Sequence, residues 1–138
     1  MFERILVPLD GSKLAELALP YAEELAARTG SQVTLLRVIT SSEAEDYDNN
    51  QVYLKGVAKE VEIDTKKLLE KSEGEIKVET AVLMGNPAEA IVDYAATKKI
   101  SLIVMASHGR SGIGRWTLGS VAEKVVRGGS SPVLRVRS

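Results

Sequence analysis

The chain has 138 residues, 44% of them hydrophobic, which is the size and composition of one globular domain, and we expect that domain to span residues 1–138. Its formal net charge of -1 excludes an overall basic field, so we expect neither nucleic acid nor a membrane as a partner. The absence of cysteine and the single histidine, His108, exclude disulfides, thiolate chemistry and histidine-rich metal sites, whereas magnesium bound by carboxylates stays open.

The first predicted element is an apolar strand over residues 5–9. It is too short for a signal peptide or a membrane span, so we expect a cytoplasmic protein. A helix over residues 12–28 follows, and Gly30 ends it as a left-handed cap. The 3.6-residue spacing predicts an apolar face made of Leu14, Leu17, Ala18, Tyr21, Ala22 and Leu25. A second strand spans residues 33–39.

The middle of the chain continues this alternation. Residues 42–51 are rich in Glu, Asp and Asn, which predicts a solvated loop or a frayed helix start, with the helix better defined from about Val52. Alternating apolar and polar residues predict a strand over residues 76–82. Asn86, Pro87 and Glu89 then provide an N-cap, a first-turn proline and a capping-box acid for a helix that ends near Lys98.

The last part of the chain holds two more predicted strands, 100–106 and 132–137, with a helix that opens at Ser120 between them. Buried strands that alternate with helices are typical of a parallel sheet covered on both faces. We therefore predict an α/β three-layer sandwich, Rossmann-like or flavodoxin-like, with a five-stranded parallel sheet of order 3-2-1-4-5. Its switch point lies between strands one and four, where residues 8–12 and 107–109 face each other across a crevice.

A glycine-rich loop joins the fourth strand to the last helix. Its glycines are Gly109, Gly112, Gly114 and Gly119. They leave backbone N–H groups accessible to an anion, and the start of the following helix favours negative charge as well. Ser120 and Glu123 have the spacing of a capping box, so an ordinary capped loop explains the same residues. The position of this loop at the predicted switch point favours a phosphate site over that alternative.

Other familiar ligand signatures do not occur. The first strand is followed by Asp-Gly-Ser-Lys rather than G-x-G-x-x-G, and the chain has no G-x-x-x-x-G-K-[ST], which argues against NAD and Walker-type sites. The strand ends lack the acidic pair and the aspartate of a phosphorylated receiver domain. Aromatic residues make up 4% of the chain, which disfavours a stacked flavin.

The chain resembles the universal stress protein family along essentially its whole length, and within that family the ATP-binding branch. The family motif is G-x-x-G, then nine residues, then G followed by Ser or Thr. Gly109 matches the second glycine and Gly119-Ser120 closes the motif at the family spacing, while Ala106 stands in place of the first glycine. The segments ILVPLDGS, LLRVI, NPAEAIVDYA and SPVLRVR match the family as well.

The resemblance implies a binding site for ATP, with Mg²⁺ carried by the nucleotide. It implies that adenine lies near Val38 and Met105, and that the backbone around Pro8 and Leu9 reads the edge of the base. It also implies that Asp10 accepts a hydrogen bond from a ribose hydroxyl or from a metal-bound water. The remaining implied ligand residues, which contact ribose and phosphates, are Ala106, Ser107, His108, Gly109, Arg110, Gly119, Ser120 and Val121.

Three functions fit these residues. The first is an ATP-binding stress-response or signalling module, because no side chain convincingly supplies a catalytic base and at most slow hydrolysis is expected. The second is an ATPase or adenylyl-transferring enzyme that uses Asp10 and His108. The third is a dimerising interaction protein with weak nucleotide affinity, for which Ala106 is the sequence hint. Asp10 also has a purely structural explanation, as a turn acid that caps Ser12.

The fifth strand is an edge of the predicted sheet and carries unpaired backbone groups beside Leu134 and Val136. We therefore expect a homodimer formed by antiparallel pairing of this strand with its copy, and the resemblance points to the same arrangement. The alternative is a monomer whose short edge is protected by Arg135 and Arg137.

Overall fold

A computed structural model describes residues 2–69, 74–107 and 118–137 of the chain. The strands are β1 (Arg4–Leu9), β2 (Gln32–Ile39), β3 (Val78–Met84), β4 (Leu102–Ala106) and β5 (Val133–Val136). The α-helices are α1 (Leu19–Thr29), α2 (Tyr47–Leu68), α3 (Pro87–Thr97) and α4 (Leu118–Gly128). The 3₁₀-helices Ala15–Ala18 and Ser41–Asp46 precede α1 and α2. Within these described ranges, no helix is long and apolar enough to cross a membrane.

The sheet has the predicted topology. Its strands are parallel and their order is β3-β2-β1-β4-β5. Helix α1 packs against α2 and α3 packs against α4, and right-handed crossovers place one pair on each face of the sheet. The central strands β1, β2 and β4 are almost entirely buried, as expected for strands covered on both faces, whereas the edge strands β3 and β5 are more exposed. This is the predicted three-layer α/β sandwich.

Two predicted helix boundaries are confirmed by their hydrogen bonds. Asn86 Oδ1 accepts a bond from the backbone N–H of Glu89 at 3.2 Å, and Pro87 lies in the first turn of α3. Gly30 ends α1 with a φ of 69°, and its N–H donates to the carbonyl of Ala26 at 2.8 Å. The left-handed conformation suits glycine because it has no Cβ.

The first helical segment differs from its prediction. It begins as a 3₁₀-helix, and α1 follows with Pro20 in its first turn, because proline has no N–H with which to continue the hydrogen bonds of the preceding turn. The predicted apolar face is wrong in part, since Leu14, Leu17 and Tyr21 are exposed. The buried face consists mostly of alanines, namely Ala15, Ala18, Leu19, Ala22 and Ala26. Small side chains let this segment lie close to the sheet.

The second helical segment starts earlier than predicted. Of the two alternatives for residues 42–51, the solvated loop is wrong, because residues 41–46 form a 3₁₀-helix and α2 begins at Tyr47 rather than near Val52. A capping box explains the early start: the Thr40 side chain accepts from the Glu43 N–H, and the Thr40 N–H donates to Glu43 Oε1 at 3.1 Å. Glu43 is buried although most of its acidic neighbours are exposed, so composition alone does not reveal its role.

The start of α4 is also corrected. The helix begins at Leu118, so Ser120 is its third residue and the predicted capping box between Ser120 and Glu123 is wrong. Glu123 instead forms an ion pair one turn along the helix, with its Oε1 2.8 Å from Arg127 Nη2. Strands β3 and β4 each start two residues later than predicted. These shifts leave the order of the elements unchanged.

A buried carboxyl lies between α1 and α2. Glu23 is 6% exposed and forms a hydrogen bond with Asp64, while Glu60 adds a second negative charge nearby. Burial, followed by the hydrogen bond and charge of Asp64 and by the charge of Glu60, raises the pKa of Glu23 to about 8. Glu23 is therefore mainly protonated at neutral pH and donates a hydrogen bond to Asp64.

We expect the contribution of Glu23 to the free energy of unfolding to fall as the pH rises from about 5 to 8. The folded state keeps the Glu23 proton up to about pH 8, whereas the unfolded chain releases it near the ordinary pKa of 4.5, so rising pH favours unfolding in this window. Glu23→Gln keeps a hydrogen-bond donor and cannot ionise. This variant should not lose stability between pH 5 and pH 8. At pH 9 its free energy of unfolding should exceed that of the wild type by on the order of 2 kcal/mol.

Urea unfolding at pH 5, 7 and 9 measures this difference. Glu24→Gln is the control, because Glu24 lies on the same helix in an exposed ion pair with Arg28 and should leave the slope as it is. An equal pH slope in Glu23→Gln and the wild type would contradict the assignment.

Candidate functional site

The C-terminal ends of the parallel strands meet at one edge of the sheet, where β1 lies between β2 and β4. The β1–β2 ladder runs along the whole of β1. Among the described residues, the β1–β4 ladder contains only Ile5–Leu102 and Leu6–Ile103, and it stops before either strand ends. Backbone groups near the end of β1 are therefore not tied to β4 by this ladder. This is also the switch point, because β1 and β4 connect onward to opposite sides.

Asp10 follows β1 directly and is 1% exposed. Its Oδ1 accepts bonds from the Ser12 backbone N–H at 2.9 Å and from the Ser12 hydroxyl at 2.5 Å. The Ser12 hydroxyl in turn accepts from the Ala15 N–H at 3.1 Å. Gly11 has a φ of 88°, a conformation that favours glycine. The structural role considered for Asp10 is thus present, and it holds a buried carboxylate in one orientation at the switch point.

Arg37 places a second buried charge at this edge. It lies on β2 opposite Leu9 and is 2% exposed. Its Nη2 donates to Glu43 Oε2 at 3.0 Å, its Nε to Asn50 Oδ1 at 3.0 Å, and its Nη1 to the Val38 carbonyl at 2.6 Å. These bonds tie β2 to the 3₁₀-helix Ser41–Asp46 and to α2. A buried guanidinium requires such partners because its desolvation is costly.

Glu43 serves two elements at once. Its Oε2 faces Arg37, and its Oε1 accepts from the N–H and the hydroxyl of Thr40, both at 3.1 Å. Burial by itself raises the pKa of Glu43, but the backbone bond from Thr40, the charge of Arg37 and the side-chain bonds outweigh burial and hold the pKa below its ordinary value. Glu43 is therefore ionised at neutral pH and completes a buried ion pair.

A cavity of about 300 Å³ lies between these two strand ends. Its lining residues are Asp10, Gly11, Arg37, Glu43, Asp46, Asn49 and Asn50. Among the described lining residues are three carboxylates and one guanidinium, so this part of the wall is net negative. Tyr53 donates a hydrogen bond from its hydroxyl to Glu16 at 2.8 Å. Burial raises the pKa of Tyr53, and the hydrogen bond and charge of Glu16 and the charge of Asp10 raise it further.

The opposite side of β1 has a different character. Strand β4 ends at Ala106, and the N–H of the next residue, Ser107, donates to the Val136 carbonyl at 2.7 Å. Helix α4 follows β4 in the chain, so it starts at the same edge of the sheet. The N–H groups of a first helical turn have no acceptor within the helix and lie at the positive end of its dipole. This side of the edge therefore favours an anion.

The structure places most of the predicted site residues at the same edge of the sheet. Those at the C-terminal edge of the sheet are Pro8, Leu9, Asp10, Val38, Met105, Ala106, Ser107, Gly119, Ser120 and Val121. Val38 and Met105, predicted to lie beside adenine, are 1% and 0% exposed and belong to the hydrophobic core. The predicted contacts at His108, Gly109 and Arg110 lie outside the described residues, as do the glycines at 112 and 114.

Sequence reasoning missed the half of the cavity that β2 and α2 provide. The available signal is Arg37 itself, because an arginine inside the apolar run VTLLRVI needs an acidic partner when the strand is buried. Thr40 and Glu43 also have the spacing of a capping box. Neither signal identifies Asn50, which reaches Arg37 from the second turn of α2.

The fold and the polar cleft at its switch point define a doubly wound α/β protein of the kind that binds ligands beyond its strand ends. The sequence matches the universal stress protein family over residues 1–137, and the chain belongs to this family. Universal stress protein MJ0531 of Methanocaldococcus jannaschii is 34% identical, over 99% of this chain and 83% of its own. Universal stress protein YxiE of Bacillus subtilis is 34% identical, over 99% of this chain and all of its own.

Solved structures share the architecture. The structure of MJ0577 from Methanocaldococcus jannaschii matches with a TM-score of 0.70 at 34% identity, and covers 100% of this chain and 97% of that one. A universal stress protein solved in complex with cAMP matches with a TM-score of 0.69 at 26% identity, over 99% of this chain and 97% of that one. The predicted fold is therefore the fold of solved members of the family.

Arg37→Met should lower the free energy of unfolding by about 3–5 kcal/mol, because it removes the guanidinium that neutralises the buried Glu43. The double variant Arg37→Met/Glu43→Gln should recover much of this loss, since it buries no charge at that position and the amide oxygen of the new glutamine side chain can still accept the bond from the Thr40 N–H. Chemical denaturation of both variants measures the coupling. Arg28→Met, which breaks an exposed pair with Glu24, should cost less than about 1 kcal/mol. Strictly additive losses in the double variant would show that Arg37 and Glu43 are not coupled.

Proposed function

We propose that this protein binds ATP, with Mg²⁺ carried by the nucleotide, and that it acts as a nucleotide-dependent stress-response or signalling module. The observation that carries the proposal is the fixed, buried carboxylate of Asp10 at the switch point, with the start of α4 on the other side of β1. Ligands of doubly wound sheets bind at this position. Membership of the family and the cAMP complex of a related protein support an adenine nucleotide.

In this proposal, each part of the site contacts a different part of the nucleotide. Asp10 accepts a ribose hydroxyl or a metal-bound water. The backbone around Pro8 and Leu9, which is not part of the β1–β4 ladder, forms hydrogen bonds with the edge of adenine. The base lies beside the strand ends that carry Val38 and Met105. The residues that contact ribose and phosphates are Ala106, Ser107, Gly119, Ser120 and Val121, together with His108, Gly109 and Arg110 from the sequence motif.

Mg-ATP should raise the melting temperature of the protein. A ligand that binds only the folded state adds RT ln(1 + [L]/Kd) to its stability, about 2.7 kcal/mol at a hundredfold excess over Kd. Gly119→Val should abolish this shift, because a branched side chain in the first turn of α4 keeps phosphate oxygens from the backbone N–H groups. Differential scanning fluorimetry and calorimetric titration measure the two effects.

Gly128→Val is the matched control for this experiment. Gly128 is the last residue of α4, and a Cβ at this position meets nothing within 4 Å, so the variant should bind Mg-ATP like the wild type. Wild-type affinity in Gly119→Val would show that the start of α4 is not the phosphate cradle.

We further propose a homodimer formed through β5. Ile103 N–H donates to the Pro132 carbonyl and Ser107 N–H to the Val136 carbonyl, so even-numbered residues of β5 direct their backbone groups toward β4. By alternation, Val133 and Arg135 direct theirs outward, toward a partner. Val136 is already part of the core, which leaves Val133 and Leu134 as half-buried apolar residues that a partner can cover.

Light scattering should give twice the chain mass of 14.9 kDa. Arg135→Pro should shift the protein to monomer, because it removes an outward-facing N–H while leaving the even-numbered bonds to β4 in place. Arg135→Ala keeps that N–H and should remain dimeric. Circular dichroism checks that both variants are folded, and a wild-type monomer at high micromolar concentration would rule out the dimer.

A further inference from the structure

The two sides of Asp10 differ in charge. On the α4 side lies the N-terminal end of that helix, which is the positive end of its dipole. On the β2 side, the carboxylates of Asp10, Glu43 and Asp46 line the 300 Å³ cavity. The guanidinium of Arg37 is directed at its own wall, where Glu43 takes one of its donors. The edge of the sheet thus has a positive end and a negative end, with Asp10 between them.

We infer that this polarity makes the site reject nucleotides that carry a phosphate monoester on the 2′ or 3′ oxygen, in favour of nucleotides without one there. The inference rests on the proposed nucleotide site. When the 5′ phosphates lie toward α4, the ribose lies at Asp10 and its 2′ and 3′ oxygens face the acidic cavity. A free hydroxyl donates a hydrogen bond to a carboxylate, whereas a phosphate monoester brings between one and two negative charges.

The carboxylates of Asp10 and Glu43, which line this cavity, cannot turn away from such a phosphate. Asp10 is held by the backbone and the hydroxyl of Ser12, and Glu43 is held by Thr40 and Arg37. Preorganised charges of this kind repel an anion without relaxing, and a partly buried site screens them less than water does. The volume of the cavity accommodates a phosphate group, so the rejection is electrostatic rather than steric.

Asp46 allows the charge to be changed without disturbing the fold. It precedes α2 and its side chain makes no capping bond to that helix. Its backbone carbonyl accepts from Asn50 Nδ2 at 2.9 Å, a bond that any side chain at position 46 preserves. Asp48, exposed in the first turn of α2, carries the same charge and does not line the cavity. Asp46→Asn and Asp48→Asn are therefore a matched pair.

The test compares ADP with adenosine 3′,5′-bisphosphate by calorimetric titration. Both ligands carry two phosphates, and they differ in whether one of them sits on the 3′ oxygen. We expect the bisphosphate to bind the wild type at least tenfold more weakly than ADP, a difference of about 1.4 kcal/mol. Asp46→Asn should lower the ratio of the bisphosphate Kd to the ADP Kd at least threefold. Asp48→Asn should leave that ratio at its wild-type value.

Equal affinities of the wild type for the two ligands, or a ratio that is the same in Asp46→Asn and Asp48→Asn, would overturn this selectivity while leaving the nucleotide site standing. Failure of every adenine nucleotide to bind would instead overturn the proposed function, and the selectivity with it.

Discussion

The common direction of the strands is the constraint on which the rest of the structure depends. Because β1, β2 and β4 all point the same way, the turns that leave them fall on one edge of the sheet. Asp10, the capping box of Thr40 and the start of α4 therefore meet there although they are far apart in the chain. Crossovers to both faces cover the central strands, which explains why those strands are apolar almost throughout.

Two buried carboxyls show opposite solutions to the cost of desolvation. Glu43 stays ionised because Arg37 and Thr40 supply a positive charge and hydrogen bonds. Glu23 has only further acids, Asp64 and Glu60, among the groups that set its pKa, so it keeps its proton. The ion pair is insensitive to pH near neutrality and joins β2 to α2 beside the candidate site. The protonated acid lies between α1 and α2, where its raised pKa makes its contribution to stability dependent on pH.

The structural role of Asp10 is compatible with the ligand-binding role proposed for it. The bonds from Ser12 shape the turn after β1, and the same bonds hold the carboxylate in a fixed orientation. A ligand that uses this carboxylate does not have to order it first, which lowers the entropic cost of binding. The two explanations that the sequence leaves open for Asp10 are therefore compatible.

Local patterns in the sequence determine much of this protein. Strand and helix periodicity, together with the rules for crossovers, predict the sheet and its order, and Asn86 and Gly30 mark helix boundaries correctly because caps depend on the backbone within a few residues. The spacing that ends in Gly119-Ser120 identifies the family, which the comparison over residues 1–137 confirms. The nucleotide contacts assigned from that motif stay predictions.

Only the tertiary structure decides which side chains become buried together. Leu14, Leu17 and Tyr21 have helical spacing, yet the segment turns its alanines to the sheet, because close packing of layers is decided by the neighbouring surface rather than by hydrophobicity alone. The partners of Arg37 and Glu23 come from other elements, so no local pattern reveals them. The sequence thus determines the elements and their order, whereas long-range packing decides the charge of the site, because desolvation and ion pairing depend on groups that meet only in the folded chain.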